Sequence, residues 1–174
     1  MTKEDIKIKN IFNNILLYSV MILYFVLLFA LLFQKKRVGS FQSINLVPFR
    51  TIAEFMFSDD IILRSFALSN ILGNIVIFVP LGVYITLMNR NKSVIVNTFI
   101  IALLSTLAEV LQFIFKVGAS DIDDVMLNAL GGFVGVILFC LIYKIFKSKT
   151  KSAIAIMAPI GAILAFAVLI FVNQ

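Results

Sequence analysis

Five apolar runs, each about as long as a bilayer-spanning helix, constrain this chain more than any other feature. They cover residues 11–33, 67–88, 94–115, 125–146 and 153–172. A hydrocarbon core takes about 20 apolar residues to cross as a helix. The sequence therefore predicts an all-α integral membrane protein with five transmembrane helices. Composition agrees: 61% of the residues are hydrophobic and the mean hydropathy is +1.08, where a soluble domain lies nearer half apolar. What remains outside the runs is too little for a soluble domain, so residues 1–174 read as a single membrane domain. The first run is too long for the apolar region of a signal peptide. Gln34-Lys35-Lys36-Arg37 follows it in place of a small-residue cleavage site, so it reads as a retained anchor helix.

Several chemistries are closed to such a chain. Histidine and tryptophan are absent, and the sole cysteine, Cys140, lies inside an apolar run. No disulfide forms within one chain, and zinc has no suitable ligand set. The net charge of +6 sits in loops that flank the membrane, so it reads as a topology signal and no nucleic-acid partner is expected. Lys3, Lys7, Lys9, Arg90, Lys92, Lys144, Lys147, Lys149 and Lys151 fall on one side, with only Glu4 and Asp5 as acids. Lys35, Lys36, Arg37, Arg50, Arg64 and Lys116 fall on the other. The richer side is cytoplasmic by the positive-inside rule, which puts the N-terminus inside and the C-terminus outside.

The first outer loop has a helical pattern of its own. Phe49, Ile52, Ala53 and Met56 share one face, Arg50 and Glu54 lie off it, and Pro48 is suited to a first helical turn. A short helix lying in the outer interface is expected. Ser58, Asp59 and Asp60 then supply caps for a helical stretch over 61–69 that leads into the second span.

The polar residues of the spans converge on that outer end. Asn70 and Asn74 are one turn apart in the second span. Glu109, Gln112 and Lys116 share a face in the third, and Asp121, Asp124 and Asn128 repeat the same spacing in the fourth. Glu109 is six residues from Phe115, roughly 9 Å below the rim, where a carboxylate should face the bundle interior or a wet cavity. The inner half of the spans offers almost nothing polar, which predicts a polar cup over an apolar floor. Glu109 and Asp124 are expected to face each other across the third and fourth spans. Asp123 points about 200° away from Asp121 at 100° per residue and reads as a helix cap. Gly131, Gly132 and Gly135 permit close helix approach, and Pro80 with Gly82 predicts a kink in the second span.

Asn45, Pro48 and Phe49, the run Asn70-Ile71-Leu72-Gly73-Asn74, then Phe78, Pro80 and Gly82, Glu109 with Gln112, and Asp121-Ile122-Asp123-Asp124 with Asn128 and Gly131 form an ordered series. Over residues 41–140 that series resembles the VanZ-like family. The resemblance implies a small multi-pass protein of a bacterial cytoplasmic membrane and a link to antibiotic resistance, in particular to the glycopeptide teicoplanin. Many members carry an arginine shortly before the acidic cluster. This chain has Gly118-Ala119-Ser120 there, with Lys116 the nearby cation.

Three functions are compatible with these residues. The first is a cup that binds or modulates a lipid-linked or glycopeptide-like ligand. Asn70, Asn74, Glu109, Gln112, Asp121, Asp124 and Asn128 would line it, and Arg50 would reach the headgroup. The second is an intramembrane enzyme acting on a lipid or cell-wall precursor, with Glu109 and Asp124 as candidate catalytic groups. No cofactor is expected, although Asp121 and Asp124 are hard oxygen ligands of the kind that hold Mg²⁺ or Ca²⁺. The third, transport, needs polar residues through the inner half as well. Membrane lipids are partners in every case. The bland alternative is that the asparagines join helices, that the aspartates cap them, and that Arg50 and Arg64 anchor the interface.

Overall fold

The computed structural model describes residues 3–33, 44–89, 93–117 and 120–172. It contains a long helix α1 (Lys3–Leu32), a two-residue strand β1 (Ile44–Asn45), a short helix α2 (Arg50–Met56) and the helices α3 (Ile61–Met88) and α4 (Val94–Ile114). A second two-residue strand β2 (Ser120–Asp121), helix α5 (Ile122–Phe146), a 3-10 turn (Lys147–Lys149) and helix α6 (Thr150–Val172) complete it. The chain is nearly all-α, the two short strands being the exception. Among the described residues, four helical stretches are long and apolar enough to cross a membrane: Lys7–Leu32, Ile61–Met88, Val94–Ile114 and Ile122–Gly161. The last of these runs from α5 through the 3-10 turn into α6, so two of the five apolar runs meet in it. The Lys35-Lys36-Arg37 and Gly118-Ala119 segments lie outside the described residues.

Helix boundaries follow local chemistry. Asp60 caps α3, its side chain accepting from the Ile62 N–H at 2.8 Å. Because nothing breaks the chain between that cap and the apolar run, the expected 61–69 stretch and the second span form one helix. Ser93 caps α4. Pro80 lies inside α3 and leaves the Val76 carbonyl without its usual N–H. The next carbonyl, Ile77, accepts the Tyr24 hydroxyl of α1 at 2.9 Å, the kind of interhelical bond that makes proline tolerable in a membrane helix.

The α3 and α5 backbones touch. A Cβ added to Gly82 would stand 2.1 Å from the Gly132 carbonyl oxygen, one on Gly131 would stand 2.1 Å from that of Ile75, and one on Gly135 would stand 2.0 Å from that of Val79. Only glycine fits at these crossings, as the small-residue spacing predicted. Gly132 faces the other way, against the Ile101 side chain of α4. Around this seam Phe78, Leu81, Ile101 and Val136 form one apolar cluster with Leu28. Tyr84, Phe139, Ile142, Ile154 and Ala155 form another with Leu17. The second cluster joins α1 and α6 to the α3–α5 pair.

The apolar floor expected from the sequence is not what the end of the bundle opposite the acidic cluster contains. Asn97 and Thr86 are fully buried there and Asn13 nearly so. Asn89 donates to Asn97 at 2.7 Å, and Thr86 donates to the Gly82 carbonyl at 2.8 Å. Asn13, Thr86 and Asn97 are uncharged residues within long apolar runs, where a hydropathy window hides them. The link from α3 to α4 is short enough to bring Asn89, the C-cap of α3, onto the first turns of α4.

Candidate functional site

The acidic cluster forms the N-terminus of α5, and four separate elements converge on it. Asp121 has extended backbone angles and is the N-cap, its side chain accepting from the Asp123 N–H at 2.9 Å. The same carboxylate accepts from Asn45 at 3.1 Å and from the Thr51 hydroxyl at 2.6 Å. Its backbone N–H donates to Glu109 of α4 at 3.1 Å. β1 and β2 reinforce this junction as a parallel pair, Ile44 opposite Ser120 and Asn45 opposite Asp121. Asp121 thus ties the first loop, α2 and α4 to the start of α5.

Asp123 corrects the reading that set it aside. Both it and Asp121 accept from the 45–52 segment, and it caps a different helix from its own. Its carboxylate is 1% exposed and accepts the Phe49 N–H at 2.5 Å and the Ile52 N–H at 3.2 Å. These are donors of the first turn of α2 that the short helix leaves unmet. Phe49 has φ 64°, a left-handed conformation that bulky residues rarely adopt, and the bond to Asp123 holds it there. The most buried carboxylate of the cluster therefore docks α2 against α5.

Asp124 faces α3. Asn74 and Asn70 both donate to its Oδ1, at 2.7 and 3.1 Å. Asn70 is exposed and Asp124 half-buried, whereas Glu109 on α4 is buried. The polar groups therefore run from an open edge at α3 to a closed one at α4. One turn deeper, Asn128 donates to the Ser105 hydroxyl at 2.9 Å. Asn128 is itself buried, and its Oδ1 has no hydrogen-bond partner.

Of the residues singled out by sequence, Asn70, Asn74, Glu109, Asp121 and Asp124 are brought together, with Asn128 beneath them. Two are engaged elsewhere. Gln112 donates to the Leu32 carbonyl at 2.6 Å and so satisfies the C-terminal end of α1, whose last carbonyls lack partners within the helix. Arg50 is exposed and pairs with Glu54 at 2.7 Å, one turn along α2. The helical spacing that put Gln112 on the Glu109 face was correct. It carried no information about α1 standing against that face. Among the described residues, no group of three or more His, Cys, Asp or Glu side chains is placed to hold a metal ion.

Sequence reasoning missed Thr51 and Ser105 and used Asn45 only as part of a motif. Ser105 had a usable signal. Asn97, Ile101, Ser105 and Glu109 are the buried residues of α4 and follow one another at four-residue steps, the spacing of a single helix face. Chemically, the site is a set of carboxylates organised by neutral donors at a helix N-terminus, where the helix dipole favours negative charge. It offers a ligand oxygen acceptors at one edge and amides at the other.

The family model for VanZ/LLP1 matches residues 15–147, which takes in most of α1 as well as the 41–140 stretch. Protein VanZ of Enterococcus faecium is 30% identical over 146 residues, covering 83% of this chain and 82% of that protein. No solved structure matches the chain.

Proposed function

Because the chain belongs to the VanZ/LLP1 family, we propose that this multi-pass membrane protein serves a VanZ-like role in teicoplanin tolerance. In this reading it binds or modulates a lipid-linked or glycopeptide-like ligand at the polar end of its bundle. The observation that carries the reading is the meeting of Asn70 and Asn74 from α3, Glu109 from α4 and Asp121 and Asp124 from α5 at one end, open at Asn70. Intramembrane carboxylates are expensive, and helix joining alone would be served by neutral amides. The cup opens outward in a topology of five spans in a bacterial cytoplasmic membrane, with the N-terminus inside and α6 as the last crossing. Helix α2 lies in the outer interface, a placement supported by the exposed apolar residues Leu46, Val47, Phe49, Phe57 and Ile61 around it. An acyl chain, such as teicoplanin carries, would rest against that apolar rim while its polar part meets the cup.

Glu109→Gln and Asp124→Asn each keep the side-chain volume and remove the charge. In a teicoplanin-sensitive host made tolerant by the wild-type chain, each variant should return susceptibility to that of cells lacking the chain, at equal membrane levels of protein. Tolerance unchanged in both variants would exclude the carboxylates from the function.

A further inference from the structure

The end of the bundle away from the acidic cluster carries a charge pattern that the proposed function does not use. All nine acids of the chain precede residue 125, whereas Lys144, Lys147, Lys149 and Lys151 occupy eight positions after it. These lysines bracket the 3-10 turn between α5 and α6 and are all exposed. Among the described residues none of the four is within ion-pair distance of a carboxylate.

A topology signal needs positive charge in a loop and no more. Here the turn that carries the charges is also fixed in place. Lys147 has φ 47°, a left-handed conformation unusual for a side-chain-bearing residue. Ile142 of α5 and Ile154 and Ala155 of α6 are locked in one core cluster with Leu17 of α1 on either side of the turn. Lys151 reaches across to α1, its ammonium 3.3 Å from the Tyr18 hydroxyl and 4.9 Å from the centre of that ring. Lys151 lies in the first turn of α6 and Lys147 and Lys149 immediately before it, at the positive end of the α6 dipole. The same turn is the C-terminal end of α5, with Lys144 in its last turn and Lys147 as its C-cap, so the α5 dipole accommodates the lysines while the α6 dipole favours an anion beside them.

We propose that this rim, formed by the α5–α6 turn and Tyr18 of α1, binds the phosphate headgroup of an anionic phospholipid. Lys147, Lys149 and Lys151 supply the charge, and Lys144 lies one turn back along α5. The occupant is a lipid because the lysines stand beside exposed apolar residues on both helices, Tyr143 and Ile145 on α5 and Ile156 on α6, along which acyl chains would lie. Basic pockets between membrane helices are a recurrent form of anionic-lipid recognition. This binding is independent of the cup and of its ligand.

Native mass spectrometry of the detergent-solubilised full chain tests the proposal, with phosphatidylglycerol, phosphatidylcholine and inorganic phosphate as separate probes. Phosphatidylglycerol adducts should exceed phosphatidylcholine adducts by at least about fivefold, and each Lys→Gln change among the four should lower that preference by up to about fivefold. The four Lys→Arg changes together should preserve it. Raising the ionic strength about tenfold on the wild-type chain should abolish it. That last comparison decides the matter even where a Lys→Gln variant fails to fold. Equal retention of the two lipids, or a preference unmoved by ionic strength, would overturn the proposal. Phosphate retained as well as phosphatidylglycerol would overturn the assignment to lipid.

Discussion

Gly135→Ala should destabilise the bundle by about 2–3 kcal/mol, the cost of forcing an atom into a packed interface. The added Cβ would stand 2.0 Å from the Val79 carbonyl oxygen and 3.0 Å from the Gly82 Cα. Both are backbone atoms of α3, so no side chain can swing aside and the two helices must separate. The separation would also be felt at the acidic end, where Asn70 and Asn74 of α3 hold Asp124 of α5. Gly161→Ala is the matched control, because nothing lies within 4 Å of a Cβ at that position. The temperature at which detergent-solubilised protein loses its monodisperse gel-filtration peak should fall for the first variant and stay level or rise for the second. Equal temperatures for Gly135→Ala and wild type would mean that α3 and α5 are not in backbone contact.

Asp123→Ala should release α2 while leaving the long helices formed. The variant removes the acceptor of two backbone N–H groups, Phe49 and Ile52, and hydrogen bonds to charged groups are worth about 1.5–3 kcal/mol each. Opening of α2 should become at least tenfold more frequent. Hydrogen exchange followed by mass spectrometry reads this directly: amides over 49–56 should exchange at least tenfold faster, with α3, α4 and α5 still protected. Asp124→Asn, whose partners are on α3, should leave exchange over 49–56 unchanged. Full protection of α2 in Asp123→Ala would mean that the short helix is held by its apolar face alone.

The sequence made the helices legible because lipid leaves a plain signal: long apolar runs, glycines where backbones cross, and Asp60 where α3 begins. It made the polar set around α5's start legible for the same reason, since a carboxylate inside a span is conspicuous. Pairing across helices was less accessible. Asp123 looked like a cap for α5 because a helix start is a local feature, whereas its partners Phe49 and Ile52 are more than seventy residues away. Gln112 was assigned to the cup by its own helix face, and only the position of α1 shows that it meets Leu32. The strands β1 and β2 are two residues each, too short to establish an alternating pattern. The asparagines at the opposite end were overlooked because one or two amides barely shift the mean hydropathy of a span.

In the proposed function, carboxylates at the polar end of the bundle govern how the cell meets teicoplanin. Fluorescent teicoplanin bound per cell, compared among cells carrying the wild-type chain, Asp124→Asn and no chain, tests it most directly. The wild-type chain should alter the bound amount, and Asp124→Asn, present at the same level in the membrane, should match the cells without the chain. Equal binding by all three, or a variant that matches wild type, would contradict the claim.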